Sequence, residues 1–234
     1  QSPENEFLYY SRSLNFENST HLIANYQYMN NKRVLKTEIY YKLYKSLVTY
    51  IPGQLFSVAN GGDGYARGFE LFWRDRKSIP GVDYWISYSF LDTERKYRDS
   101  PISAMPSYAS KHNLSIVYKH NLPRLGSILG FTYAYSSGRP YFNPALPDSE
   151  FHTDYTRAYS NLSINLSKKI RVFGTSAVIY ASVDNLLGRE HVYGYHYLPN
   201  DAGRIPILPS SIRSFFVGFF IHSAFFNNIR LYTS

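Results

Sequence analysis

Val82-Asp83-Tyr84-Trp85-Ile86-Ser87-Tyr88-Ser89-Phe90 is the stretch from which the fold can be read. Val82, Tyr84, Ile86, Tyr88 and Phe90 alternate strictly with Asp83, Trp85, Ser87 and Ser89. Successive side chains of an extended chain point to opposite faces, so this pattern predicts a strand with one greasy face and one wetter face. The same period of two recurs on both sides of it. Tyr65, Phe69, Leu71 and Trp73 oppose Ala66, Gly68, Glu70 and Phe72, and Leu35, Thr37, Ile39, Tyr41 and Leu43 oppose Lys36, Glu38, Tyr40, Lys42 and Tyr44. Before them, His21 to Tyr28 places Leu22, Ala24, Tyr26 and Tyr28 on one face.

Downstream, the runs are Leu114, Ile116, Tyr118; Leu129, Phe131, Tyr133, Tyr135; Leu162, Ile164, Leu166; Ala177, Ile179, Ala181, Val183; and Phe215, Val217, Phe219, Ile221. That makes about nine long strands and no convincing amphipathic helix. The links between them alternate in length. Short ones (Met29 to Lys32, Asp75 to Gly81, His120 to Gly126, Ser167 to Gly174) interleave with long ones (Ser46 to Gly64, Asp92 to Ser110, Ser137 to Tyr155, Asp184 to Ser211). A soluble sandwich has no reason to gather its long loops at one end, whereas outer-membrane barrels pair short periplasmic turns with long extracellular loops. Strands of about ten tilted residues also suit the hydrocarbon layer, while soluble strands average about half that length. Tyr65, Trp73, Tyr84, Phe90, Tyr118 and Tyr135 stand near strand ends, as in the aromatic girdles of such barrels. The fold expected is therefore all-β, an antiparallel transmembrane β-barrel. The competing expectation is a soluble β-sandwich with the same aromatics in its core.

Composition narrows the function classes. The 234 residues include 24 Tyr and 16 Phe, and mean hydropathy is -0.33, so the apolar content is spread out. The longest apolar stretch, Ser214 to Phe226, is interrupted by His222 and Ser223 and falls short of a spanning helix. Aromatics at 18% argue against disorder. With no cysteine, disulfides, thiolate metal sites and thiol catalysis are excluded. The net charge of +8 invites a polyanionic partner, yet Lys and Arg are scattered along the sequence and no nucleic-acid motif accompanies them, so no nucleic acid is expected.

The order of short and long links sends the first strand inward from outside and leaves the chain end after the last strand in the periplasm. Closed single-chain barrels have even strand numbers, and an open edge in lipid strands backbone polar groups at several kcal/mol each. The expectation is a C-terminal barrel segment over 1–221, followed by an atypical tail at 222–234. No signal peptide is read at Gln1.

Several stretches are similar to motifs of one family. Ser13 to His21 resembles its "LxPExSxxYE" segment, Glu38 to Tyr44 its "xxYYKxYxxL" strand, and Asn60 to Leu71 its "NxGxGxARGxEL" strand. Trp85 to Ser89 resembles "xxSYSY", Ser137 to Tyr141 "SGRPY", and Val183 to Leu187 the penultimate "VxNLF". Each is weak alone, but together they follow the order found in TonB-dependent outer-membrane receptors, most closely those of Bacteroidetes type. The resemblance implies about the last nine strands of a roughly 22-stranded barrel in the outer membrane of a Gram-negative bacterium. It also implies outer-membrane lipid as surroundings, and as partners the N-terminal barrel strands, a plug, TonB through an N-terminal segment, and a small-molecule ligand. The class is a ferric siderophore, cobalamin or a glycan, with no catalysis. The family ends on a terminal aromatic, from which the 222–234 tail departs.

For ligand binding, Arg95, Lys96, Arg98, Arg139, Tyr141, His152, Tyr193, Tyr195 and His196 combine cationic forks with aromatic faces in the long loops, which suits an anionic chelate or a sugar. The bland alternative is solvated loop surface. Glu38, Lys42 and Glu70 are expected to form ion pairs on the lumen wall, where the family's polar residues face the plug. No cofactor is expected. Asn60-Gly61-Gly62-Asp63-Gly64 lacks a P-loop signature and reads as a glycine-rich turn with positive φ. His152 with Asp154, or His191 with His196, falls short of a metal-ligand set. Asp92, Glu94 and His152 are the one serious candidate set for a barrel hydrolase.

Overall fold

A computed structural model describes residues 14–50, 58–173, 175–198 and 203–221. Nine long strands form one antiparallel sheet: β1 (Asn18–Met29), β2 (Arg33–Tyr50), β3 (Val58–Asp75), β4 (Val82–Arg95), β5 (His112–Leu122), β6 (Ser127–Ser136), β9 (Tyr159–Val172), β10 (Thr175–Asp184) and β13 (Ser214–Ile221). Each pairs with its sequence neighbour in an unbroken meander. The long loops carry two small ribbons, β7 (Pro140–Tyr141) with β8 (Asp154–Tyr155), and β11 (Gly194–Tyr197) with β12 (Arg204–Ile207). Loop sequences with no alternating run gave no sign of these ribbons.

Register explains why the sheet holds one greasy face across its full width. Ala24 sits opposite Ile39, Ile39 opposite Phe69, and Phe69 opposite Phe90. Further on, Ile86 meets Ile116, Ile116 meets Tyr133, Tyr133 meets Leu162, and Ala181 lies between Leu166 and Val217. A slip of one residue at any pair would move that strand's apolar set to the other face. Nothing among the described residues covers this face: Leu22 is 66% exposed, Ile39 62% and Val217 77%. In a sandwich these side chains would be core. Left bare over a whole sheet, they form far more apolar surface than a soluble protein exposes, and the fitting solvent is lipid.

The opposite face is richer in small and polar groups, although Phe72, Trp85, Val117, Val178, Phe216 and Phe220 also lie on it. Ser87 pairs with Ser115, Ser115 with Ala134, Thr132 with Ser163, and Gly130 with Asn165. Gly68 is required there by close approach, because a Cβ would press on the Phe90 carbonyl oxygen and the Tyr40 ring. Trp73, Tyr84 and Tyr118 form an outward aromatic band near the short turns, and Tyr65, Phe90 and Tyr135 a second band towards the long loops.

Some expected boundaries change. Ser167 to Gly174 is not a link, since β9 continues through Val172 on polar residues that give no apolar alternation. Asn60 to Gly64 is not a turn with positive φ: it lies inside β3. Gly62 instead admits the backbone of a neighbouring loop, where a Cβ would strike the Lys96 carbonyl oxygen and Leu47. The 222–234 tail, most of the Ser46–Gly64 link's tip (51–57) and the start of the Ser13–His21 motif lie outside the described residues.

Two buried polar anchors tie strand to turn at opposite ends. At the short-turn end Asp75, 1% exposed, accepts from Arg33 Nε (2.9 Å), from the N–H groups of Lys77 (2.6 Å) and Ser78 (2.8 Å), and from the Ser78 hydroxyl (2.8 Å). At the long-loop end Asn185, 2% exposed with φ of 50°, donates to the carbonyls of Arg189 (2.8 Å) and Ile212 (2.6 Å) and accepts from the Arg189 N–H (3.1 Å). Asn tolerates the left-handed region better than other side chains. One amide thus clamps the entry of the 185–213 loop to its exit.

Candidate functional site at the long-loop end

The site grows from the ends of β2, β3 and β4. Beyond Arg95 the chain is stitched back onto its neighbours: Arg98 N–H donates to the Val48 carbonyl (2.9 Å), Tyr50 N–H to the Arg98 carbonyl (2.8 Å), and Lys96 N–H to the Asp63 carbonyl (2.9 Å). The Arg95 guanidinium lies 4.2 Å from the Tyr44 ring centre, and its Nη1 is 3.4 Å from the Tyr108 hydroxyl. Arg98 lies 5.1 Å from the Tyr97 ring centre. His152, on the 137–158 loop, closes the opposite wall, stacked on Phe151 at 3.9 Å with Nδ1 2.8 Å from the Met105 carbonyl oxygen. Arg98 and His152 both have positive φ, 55° and 60°. Such non-glycine geometry costs about 1–3 kcal/mol and persists only where surroundings enforce it.

These groups line a cleft of about 1340 Å³. Cations in direct contact with aromatic faces bind anions without leaving a desolvated charge unpaired, because the ring quadrupole supports the cation in the empty state. A second cleft of about 500 Å³ adjoins it, sharing Tyr108 and lined by Arg139, Tyr193 and a serine cluster. There Ser110 Oγ donates to the Ser137 carbonyl (2.8 Å), and Ser136 Oγ contacts Ser110 Oγ (2.9 Å) and Asn113 Oδ1 (2.6 Å). These bonds fix the mouth between β5 and β6.

The two loop ribbons meet beside this second cleft. Tyr141 and Tyr195 pack with ring centres 4.9 Å apart, Arg204 lies 4.3 Å from the Tyr195 ring centre, and Arg204 donates to the Tyr141 hydroxyl. Burial, followed by the neighbouring Tyr197, raises the Tyr141 pKa above its ordinary value.

Of the residues expected from sequence, Arg95, Arg98 and His152 share the large cleft, Arg139 and Tyr193 the second, and Tyr141 and Tyr195 the ribbon contact. His196 is exposed on β11, opposite Ile205. Tyr44, Tyr97, Tyr108, Phe151 and Arg204 escaped the sequence reading: the partners of Tyr44 and Tyr108, and the Tyr141 partner of Arg204, lie on other loops or strands, while Tyr97 and Phe151 sit beside Arg98 and His152 with no spacing that marks them.

Among the described residues the expected lumen-wall ion pairs do not form. Glu38 stands directly opposite Glu70, and Lys42 sits 4.7 Å from the Tyr40 ring centre. The ion pairs among the described residues join Arg33 to Asp75, Arg67 to Asp92, Arg74 to Asp83 and Arg157 to Glu190, so Glu38, Lys42 and Glu70 are in none of them. Pairing in register brought the two carboxylates together instead of setting each beside a cation. Asp92 is held by Arg67 at 2.8 Å on the outward face, which Glu94 shares, so neither joins His152 in the cleft. His191 is buried with Nε2 3.1 Å from the Ser160 carbonyl oxygen, apart from His196. Asp154 accepts from Asn143 (2.7 Å), and among the described residues no three His, Asp or Glu side chains gather as metal ligands.

A wide antiparallel meander, bare and greasy outside, more polar inside and with its long loops at one end, defines the wall of an outer-membrane barrel. The family model described as TonB dependent receptor-like, beta-barrel matches residues 11–186, and the chain belongs to that family. Its members are outer-membrane transporters, not enzymes. Comparison with curated protein sequences finds no match.

Among solved structures, the chain is similar to the ferric yersiniabactin uptake receptor FyuA from Yersinia pestis, with a TM-score of 0.66 and 15% identity over 88% of this chain and 30% of that one. It is also similar to the ferric-catecholate import receptor Fiu from K12 E. coli (TM-score 0.63, 15% identity, 88% of this chain, 27% of that one). BauA, the ferric preacinetobactin receptor from Acinetobacter baumannii, gives a TM-score of 0.64 at 12% identity, over 87% of this chain and 29% of that one. At such identities the likeness concerns the fold. The chain spans less than a third of each receptor's length.

Proposed function

We propose that this chain supplies barrel wall and outer loops to a TonB-dependent transporter of the outer membrane, and that the Arg95–Arg98 cleft takes an anionic ligand of the ferric-chelate class. In this reading residues 1–221 belong to a roughly 22-stranded barrel, enclosing a plug that meets the inner-facing Glu38, Lys42 and Glu70, with import energised through TonB. The ferric cargo of the similar solved receptors supports a ferric chelate over cobalamin or a glycan. The Bacteroidetes-type character of the motifs makes such a bacterium the expected source.

The observation that carries the proposal is the Arg95 guanidinium, held between Tyr44 and Tyr108 at the cleft wall. A charge-assisted hydrogen bond from it contributes about 1.5–3 kcal/mol, so Arg95→Gln weakens binding of an anionic ferric siderophore about 10- to 100-fold. The assay is equilibrium binding of ferric siderophore to the full-length receptor in detergent, with cyanocobalamin and a neutral oligosaccharide as comparisons. Tight binding of either comparison ligand, unchanged in the variant, overturns the ligand class.

A further inference from the structure

The strands gather basic residues that lie far apart in sequence. At the short-turn end the turns carry Lys32, Arg76, Lys77 and Arg124. The adjoining strand ends add Arg33 and Lys168 on the outward face, and Lys36, Arg74, Lys119, Lys169 and Arg171 on the inward face. Against these eleven cations stand two acids, Asp75 and Asp83, each already held by an arginine at 2.9 Å and 2.5 Å. The surplus of nine at this rim accounts for the whole chain's +8 and leaves the remainder close to neutral. All four turn cations are exposed. Immediately above them on the outward face lies the aromatic band of Trp73, Tyr84 and Tyr118, the depth at which rings meet headgroups.

The geometry points to a collar for anionic phospholipid: the short-turn rim holds the phosphate headgroups of the inner-facing leaflet. This rests on reading the chain as a membrane barrel with its short turns periplasmic. The aromatic band fixes the depth of the hydrocarbon boundary, so the turn cations fall in the phosphate layer and not in hydrocarbon or open water. Lys168 reaches the same layer from the outward face by extending its long stem, while the Arg33 guanidinium stays on Asp75 and Ser78 and ties the turn in place. The five inward cations add to the positive potential of this end without touching lipid, an effect that fades beyond a Debye length of roughly 8 Å. An acidic polypeptide is the lesser fit, because the turn cations and the outward pair face the surroundings of the barrel and only the inward five face its mouth.

The test uses the full-length receptor containing this sequence, reconstituted in nanodiscs of equal parts phosphatidylglycerol and phosphatidylcholine. Native mass spectrometry then counts the lipids retained after mild detergent extraction. Each Lys or Arg near an anionic surface contributes about 1 kcal/mol, about fivefold, so a headgroup met by at least one turn cation gives at least about fivefold more phosphatidylglycerol than phosphatidylcholine on the parent. The exposed-turn variant Lys32→Gln/Arg76→Gln/Lys77→Gln/Arg124→Gln loses most of that preference, at least about fivefold. Equal retention by the parent, or a preference unchanged in the variant, overturns the collar. A co-purifying acidic protein lost on the same substitutions, with no lipid preference, overturns it in favour of a protein partner. Heat-modifiable migration reports the barrel separately: failure to insert overturns the membrane reading and the collar with it, whereas an inserted barrel with equal retention sinks the collar alone.

Discussion

Replacing Asn185 by Ala removes the clamp at the base of the 185–213 loop. The amide donates two short bonds, 2.8 Å to the Arg189 carbonyl and 2.6 Å to the Ile212 carbonyl, and accepts one from the Arg189 N–H at 3.1 Å. Each bond contributes about 1 kcal/mol net, and a buried carbonyl left without a partner costs about 1–3 kcal/mol. Because the loop reopens to water and recovers part of that cost, the expected loss is about 3 kcal/mol, local to the loop. This corresponds to a rise of roughly a hundredfold in the opening equilibrium. Asn185→Asp separates the components: it keeps the acceptor for Arg189 but loses both donors and sets a carboxylate against two carbonyls, so its loop opens at least as readily. Hydrogen exchange followed by mass spectrometry on peptides from 186–212 of the full-length receptor reads the effect directly. Unchanged protection in Asn185→Ala, or protection in Asn185→Asp equal to the parent, refutes the clamp.

Two further outcomes follow from the anchors and the faces. Burial alone raises the Asp75 pKa, but the N–H groups of Lys77 and Ser78, the Ser78 hydroxyl and Arg33 outweigh it and hold the carboxyl well below the usual carboxylate range. Its folded-state pKa lies below the unfolded value of about 4, so the stabilisation is complete above that pH and is lost as pH falls towards the lower folded value. Urea midpoints of the full-length barrel should therefore decline on acidification below about pH 4, and decline less steeply in Asp75→Asn; equal acid slopes rule this out. On the spanning wall, Leu166→Arg places a cation on the outward face near the middle of β9 and costs about 2–4 kcal/mol in lipid, whereas Thr132→Arg on the inward face of β6 costs less than about 1 kcal/mol. Folding titrations into vesicles measure both, and the reverse order would mean that the faces are assigned backwards.

Much of the fold was legible because period-two alternation is a local property. Each of the nine strands contains its own apolar run, and alternating loop lengths give the direction of every strand without reference to another. Legibility fails where side chains answer to neighbours distant in sequence. The β9 extension to Val172 follows its pairing with β10 and not its own pattern. Gly62 serves a loop more than thirty residues away. Asn185 is visible in a motif, but its clamp on Ile212 is not. In the site, Arg95, Arg98 and His152 were chosen for their chemistry, while Tyr44, Tyr108 and Arg204 became recognisable only through contacts that span from 9 to 63 residues.

The sequence by itself determined an antiparallel barrel wall with one face for lipid, because a strand's two faces are set by odd and even positions. It also determined which end bears the long loops. Tertiary structure alone decided what pairing across strands brings together. It set Glu38 against Glu70 where ion pairs were expected, and it sorted cations that look scattered along the chain into a single rim. The physical reason is the meander: residues flanking successive short turns are tens of positions apart in the chain, yet every second strand end returns them to the same edge of the sheet.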